Sequence, residues 1–189
     1  MPRIPLPSPE ELDTAQRAVY DRIVAGKRGK LVGPLRAALL SPELADRWQA
    51  LGAFLRYDTS LTPRQSELAI LVTGRACGSP LEWHLHCVEA RKAGIEEPVI
   101  GALLDRREPE GLAAVDLAIV RFAVELNALR SVSPATYAEA LCHLGARSVV
   151  ELTALVGYYT LVAMTLNAHE IPMPDGVTPD FPMPHEEPR

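Results

Sequence analysis

The sequence has few cysteines, and they form no recognisable pattern. Only three of 189 residues are cysteine (Cys77, Cys87 and Cys142), and none of them stands in a CxxC or zinc-ligand spacing. The first residues show no basic stretch followed by an apolar core, so no signal peptide is expected. Free thiols in a reducing cytoplasm fit this pattern best.

Aromatic residues are also scarce. Three Phe and two Trp serve a chain that is rich in alanine and leucine. This composition favours close packing of helices over a sandwich of aromatic and β-branched strands. No segment alternates between apolar and polar residues with hairpin signals at its ends. The sequence therefore predicts an all-α fold.

Neither a basic patch nor a membrane-spanning run is present. The formal net charge is -5, and Lys and Arg are scattered, so nucleic acid is not expected as a partner. The longest apolar run, residues 152–166, is shorter than the roughly 20 residues that a membrane span needs. We interpret it as a buried helix and expect no membrane association.

Helix boundaries are marked by capping patterns. Four segments, 8–11, 62–65, 79–82 and 148–151, read Ser or Thr followed three residues later by Glu or Gln, which is typical of a capping box. Glycines at 26, 94 and 145 mark helix ends. Together with apolar periodicity, these signals predict helices near 9–25, 42–57, 63–76, 80–93, 97–104, 111–130, 134–144 and 148–168.

The two ends differ from the middle of the chain. Proline is frequent in residues 1–7, and residues 171–189 hold six prolines, which rules out a helix there. We expect an N-terminal extension with one helix over residues 1–40, a helical domain over 41–170 and a proline-rich tail over 171–189. The tail is either mobile or packed on a neighbouring subunit through its apolar residues.

Polar residues within the predicted helix 80–93 are the strongest functional signal. Glu82, His86 and Glu89 share one face, whereas His84 points nearly the opposite way, so the two histidines cannot chelate one metal ion. No metal site is predicted. Glu82 is either the acid of a capping box or a partner of His86. An imidazole flanked by carboxylates favours its protonated form and suits proton donation or anion binding.

These residues lie within a longer family pattern. The segment "LTPRQSELAILVTGRACGSPLEWHLHCVEARKAGIEEPVI" resembles the core of the carboxymuconolactone decarboxylase family, which includes the alkylhydroperoxidase D-like proteins. The later "GYYTLVAMTLNAHEIPMPDG" resembles the last helix of that family. The resemblance implies a compact helical bundle of the alkylhydroperoxidase D-like type. It also implies a homo-oligomer, with dimer, trimer and hexamer all open.

The resemblance separates two chemistries. In the peroxidase-like branch a CxxCxxxH motif is assisted by a glutamate, and its positions fall here on Ser79, Glu82, His86 and Glu67. Because both cysteines are missing, thiol peroxidase chemistry is not expected. The decarboxylase-like branch commonly carries ExxxH, here Glu82 and His86.

The resemblance thus implies a lyase that needs no cofactor and acts on a small carboxylated lactone or keto acid. His86 would be its acid or oxyanion donor, with Glu82 or Glu67 as proton partner. A non-catalytic oligomeric binding protein is the alternative, and a thiol peroxidase comes third. The candidate substrate-binding residues are Arg64, Ser79, Trp83, Tyr158 and Asn167.

Overall fold

The computed structural model describes residues 2–31 and 33–185, and every regular element within them is helical. The prediction of an all-α fold is confirmed. A 3-10 turn at Pro9–Glu11 precedes the helices α1 (Thr14–Ala25), α2 (Gly33–Ala38), α3 (Pro42–Tyr57), α4 (Pro63–Ala76), α5 (Pro80–Lys92), α6 (Glu97–Leu104), α7 (Ala114–Leu129) and α8 (Pro134–Ala168).

The chain divides into two compact units. The first comprises Met1–Asp58 and Thr165–Pro172, and therefore holds α1 to α3 and the end of α8. Both α1 and α2 pack on α3, and side chains such as Leu35 and Leu55 are about 1% exposed in this core. The second comprises Thr59–Met164 and Met173–Arg189. The domain boundaries expected from the sequence stay a prediction.

Helix α4 is the central element of the second unit. Every residue from Ser66 to Gly74 is buried, as expected for a helix with neighbours on all sides. Thr62 and Gln65 form the predicted capping box at its start, with backbone-to-side-chain hydrogen bonds of 2.9 and 3.3 Å. Helices α5 and α7 contribute most of the packing around α4. Polar side chains on α4 therefore point into the protein interior.

The first helix begins later than the sequence suggested. The predicted helix 9–25 is a 3-10 turn followed by α1, which starts at Thr14. Asp13 and Gln16 form a reciprocal capping box there, with hydrogen bonds of 2.8 and 3.0 Å. The predicted capping box between Ser8 and Glu11 caps only the 3-10 turn, and the second box starts the helix anew. The short α2 was not predicted at all.

The predicted helices 134–144 and 148–168 are the two arms of α8. Gly145 breaks the helix with φ 75° and ψ 163°, values that suit a glycine. The predicted capping box at Ser148 and Glu151 is wrong. Both side chains instead bind Ser60, whose hydroxyl lies 2.7 Å from Ser148 Oγ and 2.5 Å from Glu151 Oε2.

Helix α8 is also long and apolar enough to cross a membrane by length and composition alone. Of its most apolar 18-residue window, 56% is buried inside the protein. Such burial is what the core helix of a folded domain shows, so this helix is weak evidence for a membrane span.

Candidate active site

The turn between α4 and α5 positions the predicted site residues. Gly78 has φ +58°, and its N–H donates to Arg75 O at 3.2 Å, while the Ser79 N–H donates to Gly74 O at 2.9 Å. These two bonds form a Schellman motif, in which the left-handed residue is usually glycine. Since the Ser79 N–H is already used, the predicted capping box between Ser79 and Glu82 is wrong, and Glu82 turns inward instead.

Glu67, Glu82 and His86 meet inside the second unit and are called the buried cluster from here on. His86 Nδ1 lies 2.6 Å from Glu67 Oε2 on α4. His86 Nε2 lies 3.3 Å from Glu82 Oε1, one turn earlier on α5. The residues are 6%, 3% and 5% exposed, respectively. The sequence predicted these three residues together, and the structure brings them together.

Electrostatics in the cluster favour a protonated histidine. Burial by itself lowers the pKa of an imidazole, because it disfavours the charged form. The two carboxylates outweigh this effect and raise the pKa of His86 to about 9. At neutral pH His86 is therefore an imidazolium that donates from both ring nitrogens. The cluster stores a proton away from bulk water.

The two hydrogen bonds of His86 differ in strength. Charge-assisted N–H···O bonds typically measure about 2.7–2.9 Å. The bond to Glu67 is at the short end of what is observed, whereas the Glu82 bond is long. Glu67 therefore fixes the ring and its Nδ1 proton. The Nε2 proton is held loosely enough to be given to another acceptor.

Tyr159 contacts the buried cluster, and the sequence analysis did not name this residue. Its ring meets the His86 ring edge to face, with centroids 4.9 Å apart and planes at 85°. The candidate Tyr158 packs on Tyr159, with ring centroids 5.3 Å apart. Both tyrosines are buried. The apolar pattern of α8 showed that this helix has a buried face, but not which tyrosine faces α5.

The candidate pocket residues Ser79 and Trp83 are buried. Ser79 is fully buried, and its Oγ has no hydrogen-bond partner among the residues that the structure describes. Trp83 donates from Nε1 to Asp180 Oδ2 at 3.0 Å and packs edge to face on Phe181. The tail thus packs on its own chain at these two residues, and its packing on a neighbouring subunit stays a prediction. Residues 186–189 lie outside the described part.

Arg64 and Asn167 are the other two candidate substrate-binding residues. Arg64 donates to Asp116 at 2.8 Å, to Glu96 at 3.0 Å and to the Gly94 carbonyl. This guanidinium ties α4 to α7 and to the loop between α5 and α6, so its position gives no support to a role in substrate binding. Asn167 belongs to the first unit, and its place in the site stays a prediction.

The thiols are not activated. Burial raises the pKa of the Cys77 thiol, although a hydrogen bond with Thr160 opposes it. Burial also raises the pKa of the Cys87 thiol to about 12. Because the thiolate is the nucleophile, neither cysteine is prepared for peroxidase chemistry. In the described part of the chain, no group of three or more His, Cys, Asp or Glu has the geometry to hold a metal ion.

The fold is shared with several solved structures. An uncharacterised peroxidase-related protein with an alkylhydroperoxidase AhpD core, from Ralstonia eutropha, superposes with a TM-score of 0.75 at 17% identity, covering 92% of this chain and 93% of its own. A protein of unknown function from Agrobacterium tumefaciens superposes with a TM-score of 0.67 at 18% identity, covering 73% of this chain and 95% of its own. The debrominase Bmp8 superposes with a TM-score of 0.70 at 11% identity, covering 86% of this chain and 87% of its own.

These similarities show the alkylhydroperoxidase D-like fold. A search of curated protein sequences gave no significant match. The family model for carboxymuconolactone decarboxylases matches residues 42–125, which include all three members of the buried cluster. Over these residues, the chain is similar to the carboxymuconolactone decarboxylase family.

Proposed function

We propose that this protein is a lyase that needs no cofactor and decarboxylates a small carboxylated lactone or keto acid. The observation that carries the proposal is the position of the His86 ring between Glu67 at 2.6 Å and Glu82 at 3.3 Å. When a carboxylate leaves as CO₂, the electron pair of the broken C–C bond passes into an enolate. That enolate needs a nearby acid to take up a proton.

In this proposal, the proton comes from His86 Nε2. A substrate oxygen or carbon replaces Glu82 at the loosely held proton, and Glu67 stabilises the remaining Nδ1–H. The Glu82 carboxylate then takes up a proton from solvent water and passes it to the neutral imidazole, which restores the imidazolium. The low-polarity surroundings strengthen each of these electrostatic interactions. Substrate entry requires residues that cover the cluster to move, because His86 is only 5% exposed.

The same burial favours a second candidate function, a structural role for the cluster. All three members are at least nine-tenths buried, and none of them lines the cleft on the α6–α7 side of α4. In that case the protein would be a non-catalytic helical binding protein whose core contains a satisfied ion pair. Removing His86 would then cost stability without abolishing a reaction.

One experiment separates these functions. Carboxylated lactones and β-keto acids are incubated with wild type, His86→Gln and the matched control His84→Gln, which alters a half-buried histidine on the same helix. We expect CO₂ release from wild type, a loss of about 100-fold or more in kcat for His86→Gln, and little change for His84→Gln. Circular dichroism verifies that each variant is folded.

Solvent exchange supplies a second readout for substrates that cannot decarboxylate. In D₂O, wild type should catalyse deuterium incorporation next to the carbonyl of a keto acid methyl ester, and His86→Gln should not. Absence of both CO₂ release and deuterium exchange across the series, with His86→Gln merely less stable, would support the structural role.

The oligomeric state and the cellular location are also proposals, which rest on exposed apolar side chains and on the free cysteines. The exposed side chains Val150, Leu161 and Met164 lie on α8 and are 67%, 44% and 57% exposed. An apolar strip of this kind suits a contact with a second copy of the chain, so we propose a homo-oligomer. The three free cysteines support a reducing, cytoplasmic location.

A further inference from the structure

Helix α4 also borders a surface cleft that no member of the buried cluster lines. A cleft of about 530 Å³ lies between α4, α6 and α7, and apolar side chains such as Val72, Leu103, Val120 and Val124 line it. Small-molecule sites typically measure about 300–1,000 Å³ and have mostly apolar walls with a few polar groups. The volume and the walls therefore suit a small apolar ligand.

The carboxylates in this cleft are already occupied. Glu108 accepts two hydrogen bonds from Arg121, at 2.8 and 3.0 Å. Glu125 accepts from the backbone and the hydroxyl of Ser133, at 2.8 and 3.2 Å. Both carboxylates are thus held by donors of the protein itself. The cleft has four arginines against these two glutamates, so the surplus charge is positive.

The positive charge is concentrated where α6 ends. Arg106 adopts a left-handed conformation with φ 57° and forms no side-chain hydrogen bond or ion pair with any described residue. Arg107 pairs with the exposed Asp105, at 2.8 Å. Arg75 enters from α4, where the Phe181 ring lies 4.4 Å from its guanidinium carbon. Guanidinium groups in this arrangement suit a carboxylate.

Asn127 supplies an independent sign of a ligand. This residue lines the cleft and is only 7% exposed. Its Nδ2 donates to Ala123 O at 2.8 Å and to Thr73 Oγ1 at 3.2 Å, and because a carbonyl can only accept, the amide orientation is fixed. Its Oδ1 accepts no hydrogen bond from the described residues. A buried acceptor of this kind needs a donor.

We propose that this cleft binds a small amphipathic hydroxy acid. The hydrocarbon part lies on the apolar wall, the carboxylate meets Arg106 and Arg107 at the rim, and the hydroxyl donates to Asn127 Oδ1. This binding site is separate from the buried cluster and does not depend on the decarboxylase proposal. The protein would then bind hydroxy acids in this cleft, in addition to the lactone or keto acid proposed as substrate for the buried cluster.

Calorimetric titration with defined probes tests the site. The probes are octanoates hydroxylated at carbon 3, 5 or 8, with octanoate lacking the donor and 1-octanol lacking the charge. We expect at least one hydroxyoctanoate to bind about fivefold or more tightly than octanoate, and octanoate to bind more tightly than octanol. His86→Gln should bind the probes as wild type does.

Two pairs of variants locate the binding. Ala128→Trp fills the cleft and should weaken the tightest probe about tenfold or more, whereas Ala154→Trp, at an exposed position of α8 outside the cleft, should not. Arg106→Met should weaken it about fivefold, and Lys30→Met, with the same loss of charge, should not. Octanol binding as tightly as octanoate, no saturable binding, or unchanged binding in Ala128→Trp would each overturn the proposal.

Discussion

Glu82 Oε1 lies 3.3 Å from His86 Nε2, one helical turn away, whereas on the other side of the ring Glu67 stands at 2.6 Å. This asymmetry gives the buried cluster one tight and one loose hydrogen bond. The tight bond joins α4 to α5 and fixes the ring. The loose bond lies within α5 and can be exchanged, which is the basis of the proposed proton donation.

The asymmetry predicts unequal effects of neutralising the two acids. Glu67→Gln should lower the free energy of unfolding at pH 7 by about 2–3 kcal/mol, because it leaves a buried imidazolium without its closest counter-charge. Glu82→Gln should lower it by only about 1 kcal/mol. Urea unfolding followed by circular dichroism measures both. Equal losses would contradict the assignment of the stronger bond.

Stability should also depend on pH through His86. Since the pKa of His86 rises from 6.5 to about 9 on folding, its contribution is fully present below pH 6.5 and disappears as pH rises towards 9. The slope between these values is at most about 1.4 kcal/mol per pH unit. The free energy of unfolding of wild type minus that of His86→Gln, measured from pH 6.5 to 8.5, should shrink. A difference in the free energy of unfolding that stays constant over this pH range would contradict the raised pKa of His86.

Two glycines with positive φ provide a matched test of the tail contact. A methyl group at Gly78 would lie 2.5 Å from the Pro184 ring, whereas one at Gly94 would meet no atom within 4 Å. Gly94→Ala should cost about 1 kcal/mol for its left-handed backbone alone. Gly78→Ala should cost clearly more and expose the tail to protease. Similar losses for both would show that Pro184 is not seated on this turn.

The three thiols should react at different rates with a disulfide reagent at pH 8. Cys142 is exposed and should react first. The raised pKa of Cys77 and Cys87 leaves little thiolate, so both should react slowly until the protein unfolds. Cysteine-to-serine variants assign each phase. A fast, pre-activated Cys77 or Cys87 would instead revive a thiol-dependent mechanism.

The sequence predicted most helices because their starts and ends are local. The proline after Thr62 and the glycine at 94 act through hydrogen bonds within a few residues, and both boundaries are as expected. The start of α1 was missed because two capping boxes compete in the same short segment. Ser148 and Glu151 looked like another local cap, yet they bind Ser60, which is 88 residues away from Ser148 along the chain.

The buried cluster was predictable only in part, because some of its contacts join residues that are far apart in the sequence. Glu82 and His86 share a helix face by spacing, and the family motif supplied Glu67. Tyr159 and the Trp83–Asp180 contact depend on how distant elements pack, which helical periodicity does not reveal. The cleft beside Arg106 and Asn127 gave no sequence signal either, since its residues are spread over four helices and the loops between them.

The most direct test of the account is the protonation state of His86. Histidine-labelled protein is titrated by nuclear magnetic resonance, and His86→Gln identifies its signals among those of the five histidines. The account predicts that both ring nitrogens carry protons at pH 7.5 and that the midpoint lies near pH 9. A neutral ring at pH 7.5, with a midpoint at or below 6.5, would contradict it.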